Sequence, residues 1–474
     1  MPVLDASSGT DSSDAGTFAT LTLAPELLAN LDSLGYHVMT PIQAESLPLL
    51  LAGRDVIAQA KTGSGKTAAF GLGLLSRLTL ESPRVQALVL CPTRELADQV
   101  AGEIRRLARS LPNVKVLTLC GGAPLGPQRG SLEHGAHIVV GTPGRVEEHL
   151  RKGSLTLDAL TVLVLDEADR MLDMGFQAAM EAIIAETPAR RQTVLFSATY
   201  NESIRPIAEG VMRDPATVTV EETHDASSIR QHFYRVADDA GRFAALQRLL
   251  LHFQPASSVV FCNTKRETDE VAEALNAAGF SALALHGDLE QRDRDRLLIL
   301  FANRSASILV ATDVASRGLD IDALDAVFNY RLARELEVHV HRVGRTGRAG
   351  GYGVAATLVS EQDDYRLARL AELLGESLTP EPLPPRSVLQ REPPAPAMAT
   401  LQLGGGKQQK LRPGDILGAL TGDAGLRGDQ VGKIKVLASS AYVAVQREVA
   451  GVALERLSAG KLKGRSFRVR RVGR

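Results

Sequence analysis

Cysteine is scarce in this chain of 474 residues, with Cys91, Cys120 and Cys262 as its three copies. They are scattered without metal-ligand spacing, which argues against a structural metal and against a disulfide scaffold. Their settings, ALVLC, LTLC and SVVFC, read as packing at strand ends. Lysine and arginine are missing before Arg54, so the beginning of the sequence lacks both the basic region of a secretory signal and the Arg-rich character of a transit peptide. A cytoplasmic location is expected. Long apolar runs are missing too. The longest stretch without charge, Leu249 to Thr264, spans 16 residues and contains His252, Gln254 and Pro255, too short and too polar to cross a bilayer, so no membrane partner is expected.

What is present is globular: 44% hydrophobic and 23% charged residues exclude wholesale disorder and collagen-like repeats. The length suits about three domains at the usual 100 to 200 residues each. Net charge is −1, yet residues 400–474 carry 15 Lys and Arg against 5 Asp and Glu, an excess of +10 that leaves −11 for the rest. A basic end on an acidic body points to an anionic partner.

Residues 1–17 are rich in Ser, Gly, Asp and Thr and read as a disordered tail. Residues 18–220 alternate short apolar runs (DVIAQA, VQALVLC, VKVLTL, HIVVG, TVLVLD, TVLFSA) with helical patterns, the rhythm of a parallel α/β domain. Residues 229–375 repeat it with SSVVFC, SALALHG, ASILVAT, AVFNY and GVAATLVS. A Pro-rich segment, 376–399, reads as an extended spacer. Residues 400–474 follow the order strand, helix, strand, strand, helix, strand, a small split βαβ sandwich.

Three segments carry chemistry. AKTGSGKT, Ala60 to Thr67, stands between an apolar strand and a helix, the setting of a phosphate-binding loop. Gly63, Ser64 and Gly65 let backbone N–H groups turn toward phosphate, Lys66 reaches the outer phosphates, and Thr67 offers a hydroxyl to Mg2+. TVLVLDEAD supplies the acids at the carboxyl end of a strand: Asp166 to hold hydrated Mg2+ and Glu167 to orient or deprotonate water. HRVGRTGRAG places Arg342, Arg345 and Arg348 three apart in the second α/β domain, either a basic helix face or phosphate-directed fingers supplied in cis.

With Phe18, PIQ at 41–43, PTRELA at 92–97, Gly121-Gly122, TPGR at 142–145, SAT at 197–199, Gln291 with Arg294, and ATDVASRGLD at 311–320, the chain resembles the DEAD-box RNA helicases over nearly its whole length. The resemblance implies two tandem RecA-like parallel-sheet domains, an α/β fold, followed by a small α+β domain similar to an RNA-recognition motif. It implies ATP as the nucleotide, with Gln43 reading adenine, Phe18 stacking on it and Asp320 touching the ribose. By the same resemblance Asp169, Ser197, Thr199 and His341 couple the nucleotide to the interdomain contact, and Arg345 and Arg348 are the fingers. RNA is expected along Arg94, Gly122, Thr142, Arg145, Arg294 and Thr312. Short Gly, Thr and Arg loops suit its sugar-phosphate backbone, because they offer N–H groups and charge without base-reading rings.

The C-terminal segment resembles the RNA-binding module of bacterial DEAD-box proteins directed to large-subunit ribosomal RNA. It holds two aromatics, Tyr442 and Phe467, either stacking groups or core, so recognition is expected to rest on loops and basic residues. The expected function is RNA-stimulated ATP hydrolysis coupled to local duplex unwinding, acting on pre-ribosomal particles. Alternatives are a helicase of cold shock or RNA decay, an ATP-gated RNA clamp that does not unwind, and a double-stranded DNA translocase.

Overall fold

The computed structural model describes residues 16–60, 64–197, 204–220, 229–316, 324–347, 353–422 and 425–473. The chain divides near residue 222 into two compact units. In the first unit seven strands, β1 (Val56–Gln59), β2 (Ala87–Leu90), β3 (Val116–Leu119), β4 (Ile138–Gly141), β5 (Val162–Asp166), β6 (Gln192–Ser197) and β7 (Ala216–Thr219), form a parallel sheet. Their order is β3-β4-β2-β5-β6-β1-β7. The strands read as unbroken apolar runs because helices cover both faces, and side chains alternate between two cores. Val56, Ala58, Val89 and Val164 enter one core, while Ile57, Leu88, Leu163 and Leu165 enter the other.

The second unit repeats the design with β8 (Ile229–Arg235), β9 (Ser258–Cys262), β10 (Ala282–Leu285), β11 (Ile308–Thr312), β12 (Ala326–Asn329) and β13 (Gly353–Val359). These are ordered β10-β11-β9-β12-β13-β8, all parallel. Every run singled out from the sequence is a strand. The two strands without such a run, β7 and β8, lie at sheet edges, where one flank is unpaired and polar residues are tolerated: Val218 is the single buried residue of β7, and β8 is IRQHFYR.

The Pro-rich segment holds no α-helix, but it does hold a short 3-10 helix, Arg386–Gln390, after Pro385, and it does not stand off as a spacer. Glu381 bridges to Tyr234 on the β8 edge and takes His232 Nδ1 at 2.8 Å on its carboxylate. Leu383 and Val388 enter the second core, and Arg248 donates to the Pro384 carbonyl. Pro384 and Pro396 are buried and their carbonyls accept from Arg248 and Arg447, so the segment lies along the unit as a strap.

Residues 398 onward form a four-stranded antiparallel sheet, β15-β16-β14-β17, from β14 (Met398–Leu403), β15 (Val431–Val436), β16 (Ala441–Gln446) and β17 (Val469–Val472). The helices Pro413–Thr421 and Ala450–Ala459 pack on one face over Leu401, Leu403, Val443 and Val445. Part of the opposite face of this sheet, at β14, β16 and β17, is covered by the second α/β domain, while Lys435 and Arg470 on that face stay exposed. Tyr442 and Val472 share an apolar cluster with Ile299 and Leu300, from the end of the helix Gln291–Ala302. Beside it Thr400 Oγ1, fully buried, meets Asn303 Nδ2 at 3.0 Å and Ser305 Oγ at 2.6 Å. No described helix is long and apolar enough to cross a membrane.

Candidate functional site

The strand order makes the carboxyl end of the first sheet a functional edge, because β5, β6 and β1 are neighbours there. Gln59 pairs with Ser197 in register, and the Ala60 N–H donates to the Ser197 carbonyl at 3.0 Å. Gly65 caps the helix Lys66–Leu75 with φ +90°, a left-handed conformation natural to glycine; a Cβ there would meet Gln43 Nε2 at 2.5 Å. Gln43, 1% exposed, donates from Nε2 to the Gly65 carbonyl at 3.0 Å and accepts the Thr40 N–H on Oε1 at 2.9 Å. Thr40 Oγ1 donates to the Ser64 carbonyl at 2.8 Å. Thr40 escaped the sequence reading, although a Thr before Pro-Ile-Gln is a helix-capping signal. Thr67 follows Lys66 in the helix and is half-buried.

Lys66 is buried, with Nζ 2.8 Å from Asp166 Oδ1 and 3.8 Å from Glu167 Oε1. Burial works to lower its pKa, but the two carboxylates outweigh that and hold the ammonium above its usual value. Asp166 is pushed up by burial, with Lys66 opposing and Glu167 adding to the rise. Asp166 Oδ2 is buried without a hydrogen-bond partner among the described residues. A buried carboxylate oxygen left open, beside an ammonium and a helix N-terminus, fits a hydrated Mg2+ carrying phosphate. Glu167 itself sits at φ +54°, ψ +53°, a left-handed conformation that costs a non-glycine residue about 1–2 kcal/mol. That strain turns the chain sharply at the end of β5 and leaves the acid at the sheet edge. Arg170 Nε lies 3.7 Å from its Oε2. Asp169 and Ser197 are buried on the same edge. Phe18 is 3% exposed and packs edge-on against Tyr36 at 6.1 Å, so its ring belongs to the core rather than to an open surface.

The other half of the same edge, where β3, β4 and β2 end, gathers the expected RNA contacts of the first unit. Arg94 opens the helix Arg94–Leu107 behind the Thr93 cap. Gly122, exposed at φ +76°, follows β3; Thr142 caps the helix Pro143–Arg151 after β4; and Arg145 lies in that helix's first turn.

In the second unit Thr312 ends β11, and Arg294 Nη2 reaches the Ala315 carbonyl at 3.4 Å. Arg345, 7% exposed, follows the helix Leu336–Val343, which carries His341. Arg342 belongs neither to a basic surface nor to a set of fingers. It is 2% exposed, forks onto Asp313 at 2.6 and 2.7 Å, donates to Asn263, Asn329 and the Arg331 carbonyl, and lies 5.0 Å from the centroid of the Phe261 ring. It pins this helix to the ends of β9, β11 and β12. Gly63, Thr199, Asp320 and Arg348 lie outside the described residues. In the C-terminal module Tyr442 is core, its hydroxyl accepting from Gln402 Nε2 at 3.0 Å. Phe467 is half-buried against Gly405, where a Cβ would come within 2.2 Å of the ring.

Comparison with known proteins agrees along the chain. Residues 40–207 match the DEAD/DEAH box helicase family, 241–350 the helicase conserved C-terminal domain, and 400–471 the DbpA RNA binding domain. The chain is 55% identical over 457 residues to the ATP-dependent RNA helicase DbpA of Escherichia coli, covering 96% of this chain and 99% of that one. It is 44% identical over 347 residues to the DEAD-box ATP-dependent RNA helicase CshA of Geobacillus kaustophilus, covering 73% and 74%. Among solved structures, S. cerevisiae Dbp5 bound to RNA and ADP BeF3 superimposes with a TM-score of 0.70 at 32% identity, covering 77% of this chain and 96% of that one.

Proposed function

We propose, on the premise that the chain belongs to the DEAD-box ATP-dependent RNA helicases, that its activity is directed to large-subunit ribosomal RNA in pre-ribosomal particles of the cytoplasm. The observation that carries this reading is the C-terminal module: matched to the DbpA RNA binding domain over residues 400–471, and basic by an excess of +10. Tyr442, the aromatic on the sheet face, is buried against Ile299 and Leu300, so it offers RNA no stacking platform. The module's exposed loops offer charge instead. Lys407, Lys410 and Arg412 lie on one loop and Lys463, Arg465 and Arg468 on another. The two are joined by Lys463 Nζ donating to the Lys410 carbonyl at 2.8 Å.

In the core, Lys66 neutralises the outer phosphates and Glu167 orients or deprotonates the attacking water. Mg2+, held by Asp166 and Thr67 largely through water, would supply charge neutralisation on the phosphates. Arg345 and Arg348 act as fingers in cis, which makes hydrolysis depend on RNA drawing the two units together. Arg94, Gly122, Thr142 and Arg145, with Arg294 and Thr312, hold the RNA backbone without reading sequence.

The test compares ATPase activation by a large-subunit ribosomal RNA fragment with activation by unrelated RNA of equal length, at matched salt. A Lys410→Glu/Arg465→Glu variant is measured alongside the wild type. The wild type should prefer the ribosomal fragment by on the order of tenfold or more, and the variant should approach parity while keeping its rate with saturating unrelated RNA. Parity already in the wild type would refute the target. Charge reversal is preferable to deleting residues 400–474, because deletion strips the cover from Ile299 and Leu300.

A further inference from the structure

Gln128, in the helix Leu125–Glu133, stands outside every sequence motif and outside the functional reading above. Its amide is nonetheless the meeting point of the loop at Gly121-Gly122 and of Arg145. Nε2 donates to the Cys120 carbonyl at 3.0 Å, immediately before the two glycines. Oε1 accepts from Arg145 Nη1 at 3.1 Å, and the same Nη1 donates to the Ala123 carbonyl at 2.8 Å, immediately after them. One amide and one guanidinium therefore clamp both ends of the loop. Glu148 holds the guanidinium from the other side, with Oε2 3.1 Å from Arg145 Nε.

The amide is itself fixed. His149 Nε2 lies 3.1 Å from Gln128 Oε1, and His149 Nδ1 lies 2.7 Å from Ser154 Oγ. Because Oε1 can only accept, His149 must carry its proton on Nε2, which leaves Nδ1 to accept the Ser154 hydroxyl. His149 is fully buried, and burial, with Arg145 nearby, lowers its pKa and keeps the ring neutral as this pattern requires. A flipped Gln128 amide would set Nε2 against the Arg145 donor and Oε1 against the Cys120 carbonyl, so Arg145 and Cys120 lock one orientation and His149 takes the tautomer that fits it.

We propose that Gln128, backed by His149, is a positioning residue for RNA: it fixes the Gly121-Gly122 loop and the Arg145 guanidinium in the arrangement that grips the sugar-phosphate backbone. This rests on the reading of Gly122 and Arg145 as RNA contacts. Gln128 acts through these neighbours, so losing it should weaken RNA binding without touching the nucleotide edge, which lies at the ends of β5, β6 and β1.

The experiment measures RNA-stimulated ATPase in the full chain for Arg145→Ala, Gln128→Leu, the double variant and Gln128→Glu. The last keeps an acceptor for Arg145 and His149 but sets an oxygen against the Cys120 carbonyl. Arg145→Ala should raise the KM for RNA; if it does not, the RNA-contact reading fails before Gln128 is at issue. Given that rise, Gln128→Leu and Gln128→Glu should each raise the KM for RNA, Gln128→Leu by on the order of tenfold, with kcat at saturating RNA and the KM for ATP within about twofold of wild type. The double variant should lose less than the product of the single effects, as residues acting through one another do. An unchanged KM for RNA in both Gln128 variants, or a fall in kcat or ATP affinity of equal size, overturns the proposal. Fully multiplicative losses in the double variant overturn its Arg145 limb.

Discussion

Thr400→Val should loosen the C-terminal module from the second α/β domain without unfolding either. Valine keeps the shape of threonine but removes the hydroxyl that Asn303 Nδ2 and Ser305 Oγ both contact. Asn303 and Ser305 are 5% and 4% exposed, so water cannot readily replace the lost partner. Leaving a buried polar group unsatisfied costs about 1–3 kcal/mol, so two of them cost roughly 2–4 kcal/mol after partial relaxation. The apolar cluster of Ile299, Leu300, Tyr442 and Val472 remains, and each fully buried side chain of that kind contributes about 1.5–3 kcal/mol. Docking should therefore survive as the major state while opening becomes on the order of 30- to 1,000-fold more frequent. Hydrogen–deuterium exchange reads this directly. Protection should fall in residues 291–305 and 398–403 and stay unchanged along β5 and β6. Adding Ser305→Ala removes one of the stranded groups and should restore part of the protection, because an apolar pair has nothing to leave unsatisfied. Unchanged protection in Thr400→Val, or a further loss in Thr400→Val/Ser305→Ala, would refute the reasoning.

Glu167→Gln should bind ATP and RNA but lose turnover, since it keeps the shape and removes the carboxylate; ATP hydrolysis and analogue-dependent RNA binding measured together would show it. Lys66→Ala should raise the KM for ATP by roughly ten- to a hundredfold, because a charge-assisted contact to phosphate is lost and Asp166 is left buried without its ion pair. Arg345→Ala should leave ATP binding without RNA close to normal while RNA-stimulated hydrolysis falls by on the order of a thousandfold or more, as measured by steady-state ATPase. Acid should weaken the second unit through His339, which is 1% exposed and whose pKa burial, with Arg342 nearby, lowers to about 4. A histidine depressed from its ordinary value near 6.5 contributes stability that is present above about pH 6.5 and lost as pH falls toward 4, about 3 kcal/mol in all. Urea titrations at pH 7 and pH 5 should show a shift that His339→Leu flattens.

Much of the site was legible in the chain itself, because it is local. A phosphate loop, a strand ending in two acids and a Gly-Gly turn are each fixed by a few adjacent residues, and short unbroken apolar runs marked eleven of the strands before their order was known. The two missed strands, β7 and β8, are edges, where the burial that makes such runs apolar is halved. Arg342 and Arg345 look alike in sequence, three residues apart, and only packing makes the first a buried pin on Asp313. The Pro-rich segment announced that it held no α-helix, but neither its 3-10 turn at Arg386–Gln390 nor its place against β8, since a proline restricts its own backbone and says nothing of its neighbours. Tyr442 could have been a stacking ring until Ile299 and Leu300 covered it, and Gln128 carried no signal at all until α/β topology brought Cys120, Arg145 and His149 around its amide. The sequence alone determined which groups are chemically competent and which faces must be buried, because propensity and periodicity act over a few residues. What those faces are buried against, and which polar atoms meet, was decided by the tertiary structure, because such contacts join segments whose separation along the chain leaves no local pattern.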